Sequence, residues 1–258
     1  MKILFVTLEQ SARENLKVLL NESFFQSNID KIFTFGMPDE NLHFKDLTKI
    51  KIKSLMGLVD IFKNLPYLFK LRNSLYLLDK ESNFTHIIFI DSFDFSKFYL
   101  TRFRNKSVKY CQFIGPSVFI WKERKAKFIN LYFDHIFSIF EVERKFYDKN
   151  KYSYIGHPIL SNIIFTKRDR FPIKNIGIFL GSRHQEIFYN IPIIIDLIKK
   201  LKNLGNFNFY FFVTKEFESL IKGYFDNYNY QFYLNDKNYY NNISNLDFAF
   251  ACSGTVHL

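Results

Sequence analysis

The stretch that decides the fold runs from Asn175 to Glu186 and reads NIGIFLGSRHQE. Residues 176–180 form an apolar run typical of a buried β-strand, and Gly181-Ser182 is a turn signal before a helix start. A strand that passes through a glycine-led turn into a helix leaves unpaired backbone N–H groups at the start of that helix. Together with the positive end of the helix dipole, these donors favour a bound phosphate or pyrophosphate.

Two charged residues follow this turn. Arg183 would add a planar fork of donors that can hold two phosphate oxygens. Glu186, one turn further on, would orient the arginine or bond back to the helix start. An ordinary strand-to-helix turn with a surface arginine explains the same residues, because a Gly-Ser-Arg turn alone is a weak signal.

The same alternation of strands and helices extends through the chain in both directions. Apolar runs at 3–7 and 31–35 flank a helical segment, and this strand–helix–strand order predicts a parallel sheet. Ser11 to Glu14 fit a capping box, with Ser11 at the N-cap. A polar, basic segment at 161–174 separates this part from a second series of strands and helices. We therefore predict an α/β fold with two domains, residues 1–160 and 161–258.

Composition narrows the class of protein. The 258 residues are 48% hydrophobic and carry a formal net charge of +11, which favours anionic partners. The lysines are scattered rather than blocked, which argues against a dedicated nucleic-acid-binding arm. Cys111 and Cys252 lack metal-ligand spacing and are expected to be small core residues. No stretch reaches the roughly 18 apolar residues of a membrane span.

Residues 54–78 read SLMGLVDIFKNLPYLFKLRNSLYLL, with apolar residues at helical spacing and Pro66 expected to break or kink the helix. Lys63, Lys70 and Arg72 stand among the bulky apolar groups. That combination suits a helix at an anionic lipid interface. A core-packed amphipathic helix has the same periodicity.

Acidic residues follow another apolar strand, HIIFID at 86–91. Asp91 ends this run and Asp94 comes three residues later. In an open α/β sheet, carboxylates at the carboxyl end of a strand lie at the usual ligand crevice, where one of them could act as a general base. A pair of turn-capping aspartates remains the alternative. Further along, Gly156-His157-Pro158 is a tight turn that holds one ionisable side chain, either structural or catalytic.

Several short motifs occur in one order along the chain and together resemble those of lipid-A-disaccharide synthase, a bacterial glycosyltransferase family of the two-Rossmann-domain (GT-B) type. The matching residues are Glu9 and Ser11, Met56 to Asp60, Ile90 to Phe95, Pro116-Ser117-Val118 with Trp121, Gly156 to Pro158, Gly181-Ser182-Arg183 with Glu186, and Ser253-Gly254-Thr255.

The resemblance implies an activity. Members join UDP-2,3-diacylglucosamine to 2,3-diacylglucosamine 1-phosphate with inversion, and they release UDP. Asp91 or Asp94 would be the catalytic base. The other matching side chains would bind substrate: Glu9, Ser11, Ser117, Trp121, His157, Gly181, Ser182, Arg183, Glu186, Ser253, Gly254 and Thr255. Neither a metal nor a cofactor is implied, because the UDP-sugar is itself a substrate.

The resemblance also implies partners and a location. Acylated sugars place such an enzyme in the cytoplasm, peripherally attached to the inner face of the cytoplasmic membrane. A homodimer is a further implied assembly, and no nucleic acid is expected.

Some positions depart from the family pattern. Ala12-Arg13 replaces its Gly-Asp, Leu180 its Pro and Phe119 its first Trp. The family continues well beyond the Ser-Gly-Thr motif, whereas this sequence stops at Leu258, so the second Rossmann-like domain is expected to be incomplete. Two alternatives follow: another UDP-sugar enzyme of the GT-B type, or a non-catalytic, truncated remnant that binds a membrane or a nucleic acid.

Overall fold

A computed structural model describes residues 1–37, 45–52, 64–121, 123–158, 160, 172–181, 184–225, 230–234 and 242–252. The chain forms two compact units, Met1–Ile159 and Leu160–Leu258. Each unit is an α/β structure built on a parallel sheet, as the sequence predicts.

The first unit is built on a seven-stranded sheet of order β3-β2-β1-β4-β5-β6-β7, in which all neighbours pair parallel. Its strands are β1 Ile3–Thr7, β2 Ile32–Phe35, β3 Lys45–Asp46, β4 His86–Ile90, β5 Lys109–Phe113, β6 His135–Ser138 and β7 Tyr152–Tyr154. The strand order reverses between β1 and β4. In a doubly wound sheet, ligands bind beyond the carboxyl ends of the strands at this switch point.

Helices cover both faces of this sheet. They are α1 Gln10–Leu20, α2 Ser23–Gln26, α3 Leu65–Glu81, α4 Phe93–Leu100, α5 Val118–Trp121 and α6 Glu123–Tyr132. Side chains alternate along β1: Ile3 and Phe5 join a core cluster with Leu16 of α1, whereas Leu4 joins the cluster that contains Leu71 of α3. Burial of a leucine-sized side chain contributes about 1.5–3 kcal/mol, so both layers stabilise the strand that leads to the switch point.

Two details of the helices differ from expectation. The capping box is wrong: α1 begins at Gln10 with Glu9 as N-cap, and Ser11 lies inside the first turn. Pro66 lies in the first turn of α3, where its missing N–H costs little. Residues 53–63, which carry the first part of the predicted helical region, lie outside the described residues. No helix in the described ranges is long and apolar enough to cross a membrane.

The edge opposite the switch point is held by its own contacts. The backbone N–H of Lys2 donates to Thr85 Oγ1 at 3.0 Å, and Lys2 Nζ donates to the carbonyl of Ser82 at 2.7 Å. Thr85 N–H in turn donates to the carbonyl of Lys2 at 2.9 Å. These bonds join the amino-terminal ends of β1 and β4.

The second unit has a four-stranded parallel sheet of order β10-β9-β8-β11. Its elements are β8 Asn175–Phe179, α7 His184–Lys202, β9 Asn208–Val213, α8 Glu218–Phe225, β10 Tyr230–Leu234 and β11 Phe248–Ala251. The core packs strand residues such as Ile178 and Phe211 against Ile191 and Ile198 of α7. The order reverses between β8 and β11. The helix predicted near 238–244 lies largely outside the described residues.

Candidate active site

The switch point of the first unit brings together side chains that are far apart in sequence. Ser11, in the first turn of α1, donates from Oγ to Asp91 Oδ2 at 3.3 Å. Ser92 donates from Oγ to Glu9 Oε1, also at 3.3 Å. The loop after β1 and the turn after β4 therefore form one polar cluster, as the order of the strands requires.

The backbone of this cluster is unusual. Asp91 and Ser92 have φ values of 53° and 43°, and Ile114, after the neighbouring strand β5, has 58°. L-residues seldom adopt this left-handed conformation, which costs about 1–2 kcal/mol per residue. The turn holds nonetheless, with Asp91 N–H donating to the carbonyl of Phe113 at 3.0 Å. Backbone strain that the surroundings maintain is frequent at functional sites.

The two candidate aspartates occupy different environments. Burial, and secondarily the negative charge of Glu9, raises the pKa of Asp91 to about 6, although the hydrogen bond from Ser11 acts in the opposite direction. The Asp94 side chain is 80% exposed, and its Oδ1 lies 3.2 Å from Lys125 Nζ. A carboxylate with a pKa near 6 is suited to accept a proton close to neutral pH, so the geometry favours Asp91 as a base.

A cavity of about 500 Å³ opens beside Asp91. Its polar side holds Glu9, Asp91 and Asp94, with Lys125 as the cation among its described lining residues. Its apolar wall comes from α3, α4, the segment before α3 and the residue after β1: Leu8, Ile52, Leu65, Tyr67, Leu68, Leu71, Phe93, Phe95 and Phe98. One side of this space suits an apolar chain, and the other suits a polar, hydroxyl-bearing group.

The loop after β5 closes another part of the cavity through Gly115 and Pro116. Glu143, buried beneath it, accepts bonds from Val118 N–H at 2.9 Å and from Ser138 Oγ at 2.6 Å. Burial raises the pKa of Glu143 against these two hydrogen bonds. This carboxyl fixes the position of the loop, a role that motif spacing alone did not reveal.

Other predicted residues of the first unit lie elsewhere. Ser117 is half-buried in this loop. Trp121 is the last residue of α5, and its side chain is not among the described parts of the structure. His157 follows Gly156, which has a φ of 70°, and burial lowers the pKa of its imidazole. Neither Ser117 nor His157 is among the described residues that line the cavity. Their substrate-binding roles stay predictions.

The switch point of the second unit is formed around a glycine. Gly181 has a φ of 111°, and a Cβ built there would lie 2.8 Å from Glu186 Cβ and 3.5 Å from Cys252 Sγ. Only glycine therefore fits between the ends of β8 and β11. The carbonyl of Leu180 accepts a bond from Asn190 Nδ2 at 2.9 Å, which ties the turn to α7.

The other residues of the predicted phosphate site, Ser182, Arg183 and Ser253-Gly254-Thr255, lie outside the described residues. The phosphate site therefore stays a prediction. Within the described ranges, no three His, Cys, Asp or Glu side chains are grouped so that they could hold a metal ion.

Two parallel, doubly wound sheets define an α/β protein with two Rossmann-like units of the GT-B type. Solved structures share this fold. The putative UDP-N-acetylglucosamine 2-epimerase from Listeria monocytogenes superposes with a TM-score of 0.64 at 8% identity, covering 99% of this chain and 75% of its own. S. aureus MnaA, solved with UDP, has a TM-score of 0.60 at 11% identity, covering 98% and 75%.

The sequence identifies the family. Residues 3–258 match the family described as lipid-A-disaccharide synthetase, and the chain belongs to it. The lipid-A-disaccharide synthase of Aquifex aeolicus is 28% identical over 78% of this chain and 58% of its own length. That of Helicobacter acinonychis is 26% identical over 80% of this chain and 57% of its own. The chain spans about half the length of the curated relatives that it matches.

Proposed function

We propose that this protein is an inverting glycosyltransferase that joins UDP-2,3-diacylglucosamine to 2,3-diacylglucosamine 1-phosphate, giving the lipid A disaccharide phosphate and UDP. The observation that carries the proposal is the half-buried Asp91 carboxyl, with its pKa raised to about 6, at one end of a largely apolar cavity. Membership of the lipid-A-disaccharide synthetase family supports a glycosyl transfer in lipid A synthesis.

In the proposed reaction, a hydroxyl of the acceptor attacks the anomeric carbon of the donor sugar. Its proton passes to the Asp91 carboxylate as the new C–O bond forms and the bond between the sugar and UDP breaks. UDP leaves as an anion with the electron pair of that bond. Asp91 rather than Asp94 takes this role because its carboxyl lies in the cluster with Ser11 and Glu9, whereas Asp94 is exposed and paired with Lys125.

The departing UDP requires stabilisation of its negative charge. We assign this role to Arg183 and to the backbone N–H groups near Gly181 and Ser253, at the start of α7 and after β11. The glycine at position 181 supports the assignment, because its positive φ and its closeness to Glu186 exclude a side chain from this turn. Of the two solved structures with this fold, one contains UDP and the other is named as a UDP-N-acetylglucosamine 2-epimerase. A nucleotide-sugar donor agrees with both names, although the structural likeness itself extends only to the fold.

The cavity of the first unit suits the acceptor. Leu68, Leu71 and Phe98 offer an apolar wall for an acyl chain, and Lys125 offers a cation for the phosphate. The Lys125 ammonium lies 4.9 Å from the centroid of the Phe93 ring and 3.2 Å from Asp94 Oδ1. These two contacts hold the amine beside the cavity, where it would offset part of the acidic field of the cluster.

Attachment to the inner membrane surface belongs to the same proposal. Leu65, Phe69 and Leu77 of α3 have exposed side chains, which would enter the interfacial region of a bilayer. Arg72 does not take the lipid-facing role that its basic character suggests. Its guanidinium lies 4.8 Å from the Phe69 ring and 4.3 Å from the Phe98 ring.

The deciding experiment incubates the purified chain with both acylated precursors and measures disaccharide and UDP. We expect disaccharide from the wild-type protein and a large loss in the Asp91→Asn variant. A thermal shift with UDP but no disaccharide would point to another UDP-sugar reaction. Strongly salt-dependent DNA binding without any effect of UDP would point to a non-catalytic protein.

A further inference from the structure

Gln112 is a polar residue in the middle of a buried strand. It lies in β5 with Tyr110, Cys111 and Phe113 as neighbours, and its side chain is fully buried. A buried amide without partners costs about 1–3 kcal/mol. Its presence in this strand therefore calls for specific hydrogen bonds.

Those bonds go to the two left-handed turns at the switch-point edge. Gln112 Nε2 donates to the carbonyl of Asp91 at 2.7 Å and to the carbonyl of Ile114 at 3.3 Å. Both residues have positive φ. One amide group thus uses its two N–H donors on the two strained residues that end β4 and β5.

A third contact sets the orientation of the amide. Ser96, buried on α4, donates from Oγ to Gln112 Oε1 at 3.0 Å, and its Oγ also lies 2.8 Å from the carbonyl of Phe93. Because the amide oxygen faces this hydroxyl, the amide nitrogen must face the turns. The strand β5, the helix α4 and the turn after β4 are locked together at this point.

The lock determines where the Asp91 carboxyl lies. An extended residue after β4 would continue the strand, whereas the left-handed turn directs the chain into α4 and places Asp91 within reach of Ser11. The other charged groups around this carboxyl are Glu9 at the start of α1, Asp94 on α4 and Lys125 on α6, all lining the same cavity. Those groups surround the carboxyl, whereas the bond from Gln112 holds the backbone carbonyl of Asp91.

We propose that Gln112 is a positioning residue, which holds the backbone of Asp91 so that its carboxyl can accept the proton of the acceptor hydroxyl. This inference rests on the proposed function. It assigns no contact between Gln112 and substrate, since the side chain is buried beneath the turn.

The test compares Gln112→Met with Tyr110→Phe. Methionine retains the length of the side chain but removes both donors. Tyr110 lies two residues away on the same strand, and Tyr110→Phe removes a buried hydroxyl that donates to Asp79 Oδ2 at 2.5 Å, remote from the turn. Gln112→Met loses three hydrogen bonds, and Tyr110→Phe loses the bond to Asp79 and the one that its hydroxyl accepts from Asn105 N–H at 3.1 Å. A purely structural role therefore predicts that the loss of activity in each variant follows its loss of Tm.

We expect Gln112→Met to lower kcat by about 10- to 100-fold, in the range that misplacement of a reacting group produces, with KM for the UDP-sugar nearly unchanged. Tyr110→Phe should keep kcat within about threefold. Ser96→Ala, which leaves the amide in place but frees its orientation, should show an intermediate loss. It also keeps the test decisive if Gln112→Met does not fold.

A readout independent of turnover separates this inference from the proposed function. NMR titration of 13C-labelled aspartate reports the pKa of Asp91 directly, and we expect it to fall toward the ordinary range in Gln112→Met and Ser96→Ala but not in Tyr110→Phe. The positioning role of Gln112 would be refuted if the pKa of Asp91 were unchanged in Gln112→Met and Ser96→Ala. Equal losses of kcat in Gln112→Met and Tyr110→Phe at matched Tm would also refute it. If the wild type makes no disaccharide, the proposed function fails and the titration alone decides.

Discussion

The two switch points of this molecule achieve a sharp turn after a buried strand in opposite ways. In the first unit, Asp91 and Ser92 adopt left-handed backbone although neither is glycine. In the second unit, the corresponding turn after β8 uses Gly181, with a φ of 111° and no room for a Cβ. Both turns lie where the strand order of their sheet reverses.

The difference teaches what each turn is for. Glycine would satisfy the first turn without strain, so the protein retains a side chain there at a cost of about 1–2 kcal/mol per residue. That cost is understandable if the carboxyl itself is used. At the second turn the contacts to Glu186 and Cys252 leave no room for a side chain, and a glycine there is what the proposed phosphate site would require. One turn keeps a carboxyl in spite of the strain, and the other has no side chain.

The largest expected effect is that of Asp91→Asn. Loss of the proposed base should lower kcat by about 10²- to 10⁴-fold, with little change in KM. In the wild type, kcat/KM should fall as the pH drops below about 6, where the Asp91 carboxyl protonates. Steady-state kinetics between pH 5 and 8 measure both. Asp94→Asn is the matched control, and a larger loss there would transfer the role to Asp94.

The same variant should stabilise the fold, because the folded-state pKa of about 6 lies above the ordinary value of 3.8. The stability that this carboxyl contributes is therefore fully present below about pH 4 and is lost as the pH rises through about 6. Asp91→Asn should raise the free energy of unfolding by about 1–3 kcal/mol at pH 7.5 and by much less at pH 4. Denaturant titrations at both values test it, and equal gains at both would contradict the buried-charge explanation.

The next largest effect is expected at the second turn. Gly181→Ala places a Cβ 2.7 Å from Glu186 Oε2 in a backbone conformation that alanine disfavours. We expect a loss of about 1–3 kcal/mol of stability and at least about tenfold weaker UDP binding, equivalent to 1.4 kcal/mol, measured by calorimetry. Gly223→Ala is the control, since nothing lies within 4 Å of its Cβ. There alanine should stabilise α8 by about 0.5–1 kcal/mol.

A smaller effect is expected from the cation beside the cavity. Lys125→Gln should raise KM for the phosphorylated acceptor by about three- to tenfold, as loss of one partly exposed ionic contact implies. KM for an acceptor without the phosphate should not change. Lys97→Gln is the control, since Lys97 lies over the Phe128 ring and outside the set of described cavity residues. Equal changes for both acceptors would remove the phosphate from the role of Lys125.

The smallest expected effect separates backbone strain from a functional role at Ser92. Ser92→Gly and Asn83→Gly both relieve left-handed backbone, at φ values of 43° and 51°, and each should gain up to about 1 kcal/mol of stability. Asn83 lies away from the cluster, so its variant should retain activity. Ser92→Gly removes the bond to Glu9 and should lower kcat severalfold. Tm and kcat measured on both variants decide whether strain and function coincide at Ser92.

The strands and the general position of the site can be predicted from the sequence because buried parallel strands are uninterrupted apolar runs. HIIFID predicts both β4 and an acid at its carboxyl end, and NIGIFLG predicts β8 and its glycine turn. Because β1 and β4 are parallel neighbours, their carboxyl ends lie side by side, which places the residues after β1 next to Asp91. Sequence also supplied the family, through motifs that are individually weak.

Tertiary contacts decide what remained open. Asp91 and Asp94 cannot be distinguished in the sequence, because both are aspartates after the same strand. The structure shows that Asp91 lies in a left-handed turn and bonds to Ser11. The Ser-x-x-Glu pattern suggested Ser11 as the N-cap, whereas Glu9 is the N-cap, two residues earlier, and Ser11 bonds to a distant strand end. Periodicity did not reveal that Arg72 packs between aromatic rings. Gln112 carried a usable signal, a lone amide in an apolar strand, but its partners depend on backbone angles that letters do not specify.

The bonds that join Lys2 to Ser82 and Thr85 lie at the far ends of the strands from Asp91. The sheet therefore has the Asp91 cluster at one end and these fastening hydrogen bonds at the other. Changes that raise the thermal stability, such as shorter turns or added cross-links, can therefore be placed at the amino-terminal ends of the strands, away from Asp91.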